Sequence, residues 1–106
     1  MDKRIDRIIR KYRLTLERLG VEVNKIVLYG SQSSATAHEH SDIDLIVVSD
    51  DFAGLDVWDR QCLLGDATDG IFEPIEALGY TVAEYEALGP GTFVGQEVKP
   101  KGIVVT

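Results

Sequence analysis

The amino-acid sequence predicts an α/β (α+β) domain, with helices and strands interspersed over residues 1–106. Three observations predict this class. The first 19 residues carry apolar side chains at the three- and four-residue spacing of an amphipathic helix. Two short apolar runs on either side of a polar loop have the composition of buried strands. Beyond residue 56, further helix and strand patterns follow one another, separated by glycine and proline.

The first helix is predicted over residues 2–19. Its apolar stripe consists of Ile5, Ile8, Ile9, Tyr12, Leu16 and Leu19. Gly20 follows as a natural C-terminal stop. Most basic side chains lie off the stripe: residues 1–18 contain seven Lys and Arg against three acids, a net charge of +4. The remaining residues contain four against fifteen, a net charge of −11. Such asymmetry is typical of a solvated helix face, and the alternative is that the acidic part prefers a basic partner.

Composition restricts the classes of function. The overall net charge of −7 argues against a large nucleic-acid surface. No apolar run is long enough to span a membrane. Cys62 is the single cysteine, which excludes an internal disulfide and fits a reducing, cytoplasmic location. We expect its side chain to pack in the core.

Two carboxylates stand at the start of the second apolar run. A strand is predicted over residues 23–29 and another from Ile43 to Val48, directly after Asp42. Because side chains at i and i+2 point to the same side of a strand, Asp42 and Asp44 share a face. Carboxylates beside a buried strand are costly unless they are paired or bind a cation, and oxygen ligands favour Mg²⁺ or Mn²⁺. A pair of acids capping a strand end in solvent is the alternative.

Gly30 and Ser31 end the first strand and precede residues 32–37, which are predicted to form a short helix. Free backbone N–H groups at such a turn, together with the Ser31 hydroxyl, are donors suited to a phosphate, although an ordinary turn has the same pattern. Only ten residues separate Ser31 from Asp42. So short a connection favours antiparallel strands, which would bring the turn and the two acids to one edge of the sheet.

His38 and His40 lie in the loop before Asp42. Their spacing is compatible with metal binding, but a solvent-facing loop is the favoured interpretation.

A second helix is predicted over residues 56–64. Its side chains available for burial are Val57, Trp58, Cys62, Leu63 and Leu64. A third strand is predicted over residues 71–78, in which Pro74 indicates an edge or irregular position. Glu76 lies within this strand, and Glu73 faces the opposite way.

The end of the chain contains three more predicted elements. Thr81 and Glu84 have the spacing of a capping box, which predicts a helix from residue 81 to about residue 88. A short helical segment is predicted over residues 93–98, and a last strand over residues 102–106.

With these motifs in place, the chain resembles the minimal nucleotidyltransferases of the DNA polymerase beta-like superfamily, and in particular the MntA-type antitoxins of HEPN/MNT pairs. The resemblance rests on residues 29–31, residues 41–45 and residues 75–81. It implies a nucleotidyltransferase fold, a mixed β-sheet flanked by helices.

The resemblance also implies a site. Asp42, Asp44 and Glu76 would hold two Mg²⁺ ions, and Glu76 would assist deprotonation of the acceptor hydroxyl. Glu73 stays open as the alternative third acid. Gly30 and Ser31 would hold phosphates of ATP, the substrate that supplies AMP. The acceptor would be a tyrosine of a HEPN partner toxin, silenced by the modification.

Two positions depart from the family pattern. Ser34 stands where the family often has arginine, and Ala35 stands where it often has glycine. They favour an alternative in which the protein neutralises its HEPN partner by binding alone. A third alternative is a small-molecule nucleotidyltransferase of the aminoglycoside type, which usually needs a further domain. The predicted edge strand and the basic first helix are also compatible with self-association into a homo-oligomer.

Overall fold

The computed structural model describes residues 2–30 and 42–106. Its helices and strands, in chain order, are α1 Lys3–Arg18, β1 Lys25–Tyr29, β2 Ile43–Val48, a 3₁₀ turn Asp50–Phe52, α2 Val57–Asp66, β3 Ile75–Tyr80, α3 Val82–Ala87, a π-helical turn Val94–Val98, α4 Lys99–Lys101 and β4 Ile103–Val104. None of the helices in these two ranges is long and apolar enough to cross a membrane.

The strands form one four-stranded sheet in the order β3-β2-β1-β4. β1 is antiparallel to both β2 and β4, whereas β2 and β3 are parallel. The sheet is therefore mixed, and the antiparallel pairing predicted for the first two strands is confirmed. β3 lies at an edge, as Pro74 indicated.

β2 is buried on both faces, as its apolar run predicted. Ile43, Leu45 and Val47 face a core shared with α1, whereas Ile46 and Val48 face a smaller core on the other side of the sheet. That second core contains Tyr85, Val94 and Val98 from the C-terminal part of the chain. Side chains two apart along β2 thus lie on the same face.

α1 forms where the apolar stripe predicted it. The Asp2 side chain accepts a hydrogen bond from the Arg4 N–H at 2.7 Å, and Gly20 has a φ of 91° after the helix ends. The buried members of the stripe are Ile5, Ile8, Ile9, Tyr12 and Leu16. Leu19 was expected with them but is 43% exposed, because it lies beyond the last helical turn.

The burial predicted for α2 is wrong at three positions. Val57 and Trp58 are 76% and 74% exposed, and Cys62 is exposed rather than packed in the core. The cause is the position of the helix beside the edge strand. Arg60 and Gln61 face that edge and donate hydrogen bonds to the main-chain oxygens of Gly79 and Ala77, at 3.2 and 3.1 Å.

The fully buried apolar side chain of α2 is Leu64, and Leu63 packs partly against the same core. The main-chain oxygen of Leu64 accepts a hydrogen bond at 2.7 Å from the buried hydroxyl of Tyr12, which joins α2 to α1.

Three strands differ in extent from the prediction. β1 begins at Lys25 rather than residue 23, and β3 ends at Tyr80 rather than residue 78. β3 begins at Ile75 rather than residue 71, because Pro74 has no N–H to donate and takes part in the sheet only through its oxygen, which accepts from Ile43 N–H. The last strand contains only Ile103 and Val104 instead of residues 102–106. The capping box of Thr81 and Glu84 is present as predicted.

Candidate functional site

The register of the sheet brings two of the predicted acids side by side. Asp44 on β2 pairs with Tyr29 on β1 and, on the other side, with Glu76 on β3. Asp42 precedes β2 by one residue, so the two-residue alternation of an extended chain directs it to the same side as Asp44. The start of β2, the start of β3 and the end of β1 thus meet at one edge of the sheet.

These acids lie at the boundary between solvent and protein. Asp42 and Glu76 are exposed, whereas Asp44 is half-buried between its neighbouring strands. Burial raises the pKa of Asp44, and the negative charges of Glu76 and Asp42 raise it further. Burial also raises the pKa of the Tyr29 hydroxyl, to which Asp44, Tyr80 and Glu76 add smaller effects of the same direction. This edge therefore has a negative potential that favours a bound cation.

Gly30 lies directly against the carboxylate of Asp44. A Cβ atom built on Gly30 would overlap Oδ2 of Asp44 and would stand 3.3 Å from its Cγ. The backbone of Gly30 has a φ of 73°, in the left-handed region that glycine adopts most readily. Glycine is therefore required here both for backbone conformation and for close approach of the chain to the acid.

The remaining residues of the predicted phosphate turn lie outside the described residues. This applies to Ser31, to the short helix predicted over residues 32–37, and to His38 and His40.

The structure separates the two candidates for the third acid. Glu76 stands in register with Asp44. Glu73 precedes the strand, and its Oε1 lies 4.0 Å from a guanidinium nitrogen of Arg4 on the basic helix. Only Glu76 of these two is a direct neighbour of the aspartate pair.

The chemistry of the donor set fits a hard divalent cation. Within residues 2–30 and 42–106, no three or more His, Cys, Asp or Glu side chains are arranged to hold a metal ion, so two bound Mg²⁺ ions stay a prediction. Asp44 and Glu76 nevertheless lie on adjacent strands, about 4.8 Å apart in the hydrogen-bonding direction. Asp42 is exposed one residue before β2, so all three carboxylates lie at this end of the two strands.

An aromatic pair beside the acids was not singled out from the sequence. The rings of Tyr29 and Phe93 meet edge to face, with centroids 6.0 Å apart and an interplanar angle of 69°. Alternation along β1 places Tyr29 on the side of Asp44, which is a signal that the sequence contains. Phe93 is brought there by the turn before the π-helical segment, and its contact with a distant strand has no local sequence signal.

Comparisons with known proteins bear on the family and the fold. Residues 9–88 match the family model described as a nucleotidyltransferase domain. Among curated proteins, no match was found.

Three solved structures resemble this chain in fold. A toxin–antitoxin structure with AMP-PNP is 22% identical, with 95% of this chain and 72% of that chain covered and a TM-score of 0.63. A putative nucleotidyltransferase from Sulfolobus solfataricus is 15% identical, covering 95% and 78%, with a TM-score of 0.68. A mutant of the toxin–antitoxin MntA-HpeT is 20% identical, covering 96% and 72%, with a TM-score of 0.61. The fold implied by the sequence motifs is therefore confirmed.

Proposed function

The chain belongs to the nucleotidyltransferase domain family, and from this premise we propose that it transfers AMP from ATP to an acceptor hydroxyl in a Mg²⁺-dependent reaction. One observation carries the proposal. Asp44 is flanked by Glu76 in register on one side and by the close backbone of Gly30 on the other. Cation ligands and a phosphate-binding turn are thereby adjacent, as transfer from a nucleoside triphosphate requires.

Each residue has a proposed role. Asp42, Asp44 and Glu76 are the cation ligands, and Gly30 admits a phosphate close to the main chain. Ser31 is proposed as a second phosphate contact from its position in the sequence alone. When bound, two Mg²⁺ ions would stabilise negative charge on the attacking and leaving oxygens.

The proposed reaction is an in-line displacement. The acceptor oxygen forms a bond to the α-phosphorus of ATP, and the bond from that phosphorus to the bridging oxygen breaks, so pyrophosphate leaves. Glu76 is the candidate to accept the proton of the acceptor hydroxyl, because it is exposed while standing beside Asp44. Its exposure lets an acceptor from another molecule reach it.

A partner protein is the proposed source of the acceptor. Two of the similar structures are described as toxin–antitoxin assemblies, one of them with AMP-PNP. We therefore propose that the acceptor is a tyrosine of a HEPN-type toxin, which the modification silences. The acidic character of the chain after residue 18 suits a partner with a basic surface.

A second candidate function is neutralisation of the same partner by contact alone. The specific observation in its favour is the replacement of two residues that the family often has after the phosphate turn. Ser34 lacks the guanidinium that would clamp a triphosphate, and Ala35 restricts the backbone relative to glycine.

Labelled ATP distinguishes the two functions. The purified protein is incubated with its partner, Mg²⁺ and ATP labelled on the α-phosphate, beside the Asp42→Asn/Asp44→Asn double variant. Asp59→Asn is the matched control, because it removes an exposed carboxylate from the first turn of α2. If the protein is an enzyme, we expect label on the partner after incubation with the wild type or with Asp59→Asn. We expect no label with the double variant.

Partner activity is measured in the same samples. If the double variant neutralises the partner as fully as the wild type does and no label is transferred by either, the function is binding alone. Omission of Mg²⁺ is expected to abolish transfer by the wild type. Transfer that persists without any divalent cation would contradict the proposed role of the three carboxylates.

A further inference from the structure

Phe93 is an exposed aromatic residue beside the candidate site. Its side chain is 59% exposed, although it packs edge to face against Tyr29. Tyr29 in turn stands opposite Asp44 across the β1–β2 pair. A chain of neighbours thus runs from the carboxylates through Tyr29 to Phe93, and it ends on a ring with much of its surface in solvent.

The turn that carries Phe93 is held firmly on both sides. Thr92 Oγ1 donates to the main-chain oxygen of Gly89 at 2.8 Å and accepts from Gly95 N–H at 3.0 Å. A Cβ atom on Gly95 would overlap the main chain of Gly89, so the two ends of the turn are in close contact. Val94, the next residue after Phe93, is buried in the smaller core. The ring of Phe93 is therefore presented from a fixed backbone.

Core packing does not explain this arrangement. Phe93 stands outside both clusters of buried side chains. Full burial of a phenylalanine would contribute about 1.5–3 kcal/mol, and a ring that is 59% exposed forgoes much of this. Phe72 is also exposed, at 97%, but it lies beside Arg4 and Lys11 of the basic helix. Of these two exposed phenylalanines, Phe93 is the one packed against a neighbour of Asp44.

We propose that Phe93, supported by Tyr29, is the surface on which the nucleobase of the bound nucleotide stacks. This inference rests on the proposed function. Phosphates held next to Asp44 and Gly30 would place the base within one nucleotide length of that acid, and Phe93 is an exposed ring that its contact with Tyr29 joins to the neighbourhood of Asp44. An aromatic ring meets any base by its flat face, so stacking contributes affinity without strong selection among bases.

Equilibrium binding of two probes tests this assignment. ATP and inorganic tripolyphosphate, each with Mg²⁺, are titrated into the wild type, Phe93→Ala, Phe93→Trp and the control Phe72→Ala. We expect Phe93→Ala to bind ATP about 5- to 150-fold more weakly, which corresponds to the loss of one base–aromatic stack. Its affinity for tripolyphosphate should be unchanged, because that probe has no base. Phe93→Trp and Phe72→Ala should both retain the affinity of the wild type for ATP.

The outcomes separate the failure of this inference from that of the proposed function. If the wild type binds both probes and Phe93→Ala binds ATP equally well, the base lies elsewhere and only the stacking assignment is overturned. An equal loss for ATP and tripolyphosphate would overturn it too, since it would indicate a disturbed turn. If the wild type binds neither probe in Mg²⁺, the nucleotide-transfer function itself is overturned and the stacking assignment with it.

Discussion

Replacement of Gly30 by alanine tests the closeness of the turn to Asp44. Alanine at this position has two energetic costs. Its backbone must adopt a φ of 73°, which is unfavourable for a residue with a side chain, and its methyl group would overlap the Oδ2 atom of Asp44. Gly20 provides a matched control, because its φ is 91° and a Cβ atom there has no other atom within 4 Å. The two substitutions therefore share the backbone strain and differ in the contact.

The magnitudes follow from these two contributions. A left-handed conformation costs a residue with a side chain about 1–2 kcal/mol, and both variants carry this cost. Only in Gly30→Ala must the Asp44 carboxylate rotate away, and a side chain forced from its rotamer costs about 0.5–1.5 kcal/mol. We therefore expect Gly30→Ala to be less stable than Gly20→Ala by about 0.5–1.5 kcal/mol in urea unfolding.

The functional effect should be larger than the effect on stability. Displacement of Asp44, a proposed cation ligand, by about 1 Å can reduce the rate of a transfer reaction by about 100-fold. We expect a loss of that order in label transfer by Gly30→Ala, with Gly20→Ala close to the wild type. Equal stability of the two variants, or equal transfer by them, would refute the inference that the backbone of Gly30 and the carboxylate of Asp44 form one functional unit.

Two further predictions concern interactions that hold the sheet and its helices together. Tyr12→Phe removes the buried hydroxyl that donates to the main chain of α2, so we expect the free energy of unfolding to fall by about 1–3 kcal/mol in urea titrations, without a change in nucleotide affinity. Hydrogen bonds from Arg60 are the main cause that lowers the pKa of Glu84 to about 2. The ionised carboxylate therefore stabilises the fold fully above its unfolded pKa of about 4.5, and this stabilisation is lost as the pH falls through about 2. The side chain of Glu84 is 44% exposed, so we expect Glu84→Gln to lower the free energy of unfolding by less than about 1 kcal/mol at pH 7. This difference from the wild type should disappear in unfolding curves measured near pH 2. A difference independent of pH would contradict the assigned cause.

The elements with a strong local pattern were predictable from the sequence. The apolar stripe of α1 and the apolar run of β2 predict which of their side chains are buried, because the environment of each side chain follows from its spacing along one element. The antiparallel pairing of β1 with β2 was also predictable, because a short loop leaves few other geometries. The proximity of Gly30 to Asp44 follows from this pairing.

Properties that depend on contacts between distant segments were not predictable. The register that sets Glu76 rather than Glu73 beside Asp44 is determined by the crossover through α2, whose packing no local pattern encodes. Cys62 and Trp58 were expected in the core because their residue types are usually buried, but α2 lies beside the sheet edge and offers only a narrow inward stripe. The contact between Phe93 and Tyr29 likewise joins two segments that are remote in sequence.

The mixed topology of the sheet brings the proposed cation ligands on two strands to the same end of the sheet. Since β1 is antiparallel to β2, the turn after β1 meets the start of β2; since β3 is parallel to β2, the start of β3 meets it as well. An antiparallel β3 would carry Glu76 to the opposite edge of the sheet. The parallel return depends on the crossover through α2. Arg60 on α2 holds the beginning of this crossover against the far end of β3 by donating to the main-chain oxygens of Phe52 and Gly79, at 2.9 and 3.2 Å. Arg60 thus contacts the strand that carries Glu76, the proposed third acid, three residues away from it and without touching it.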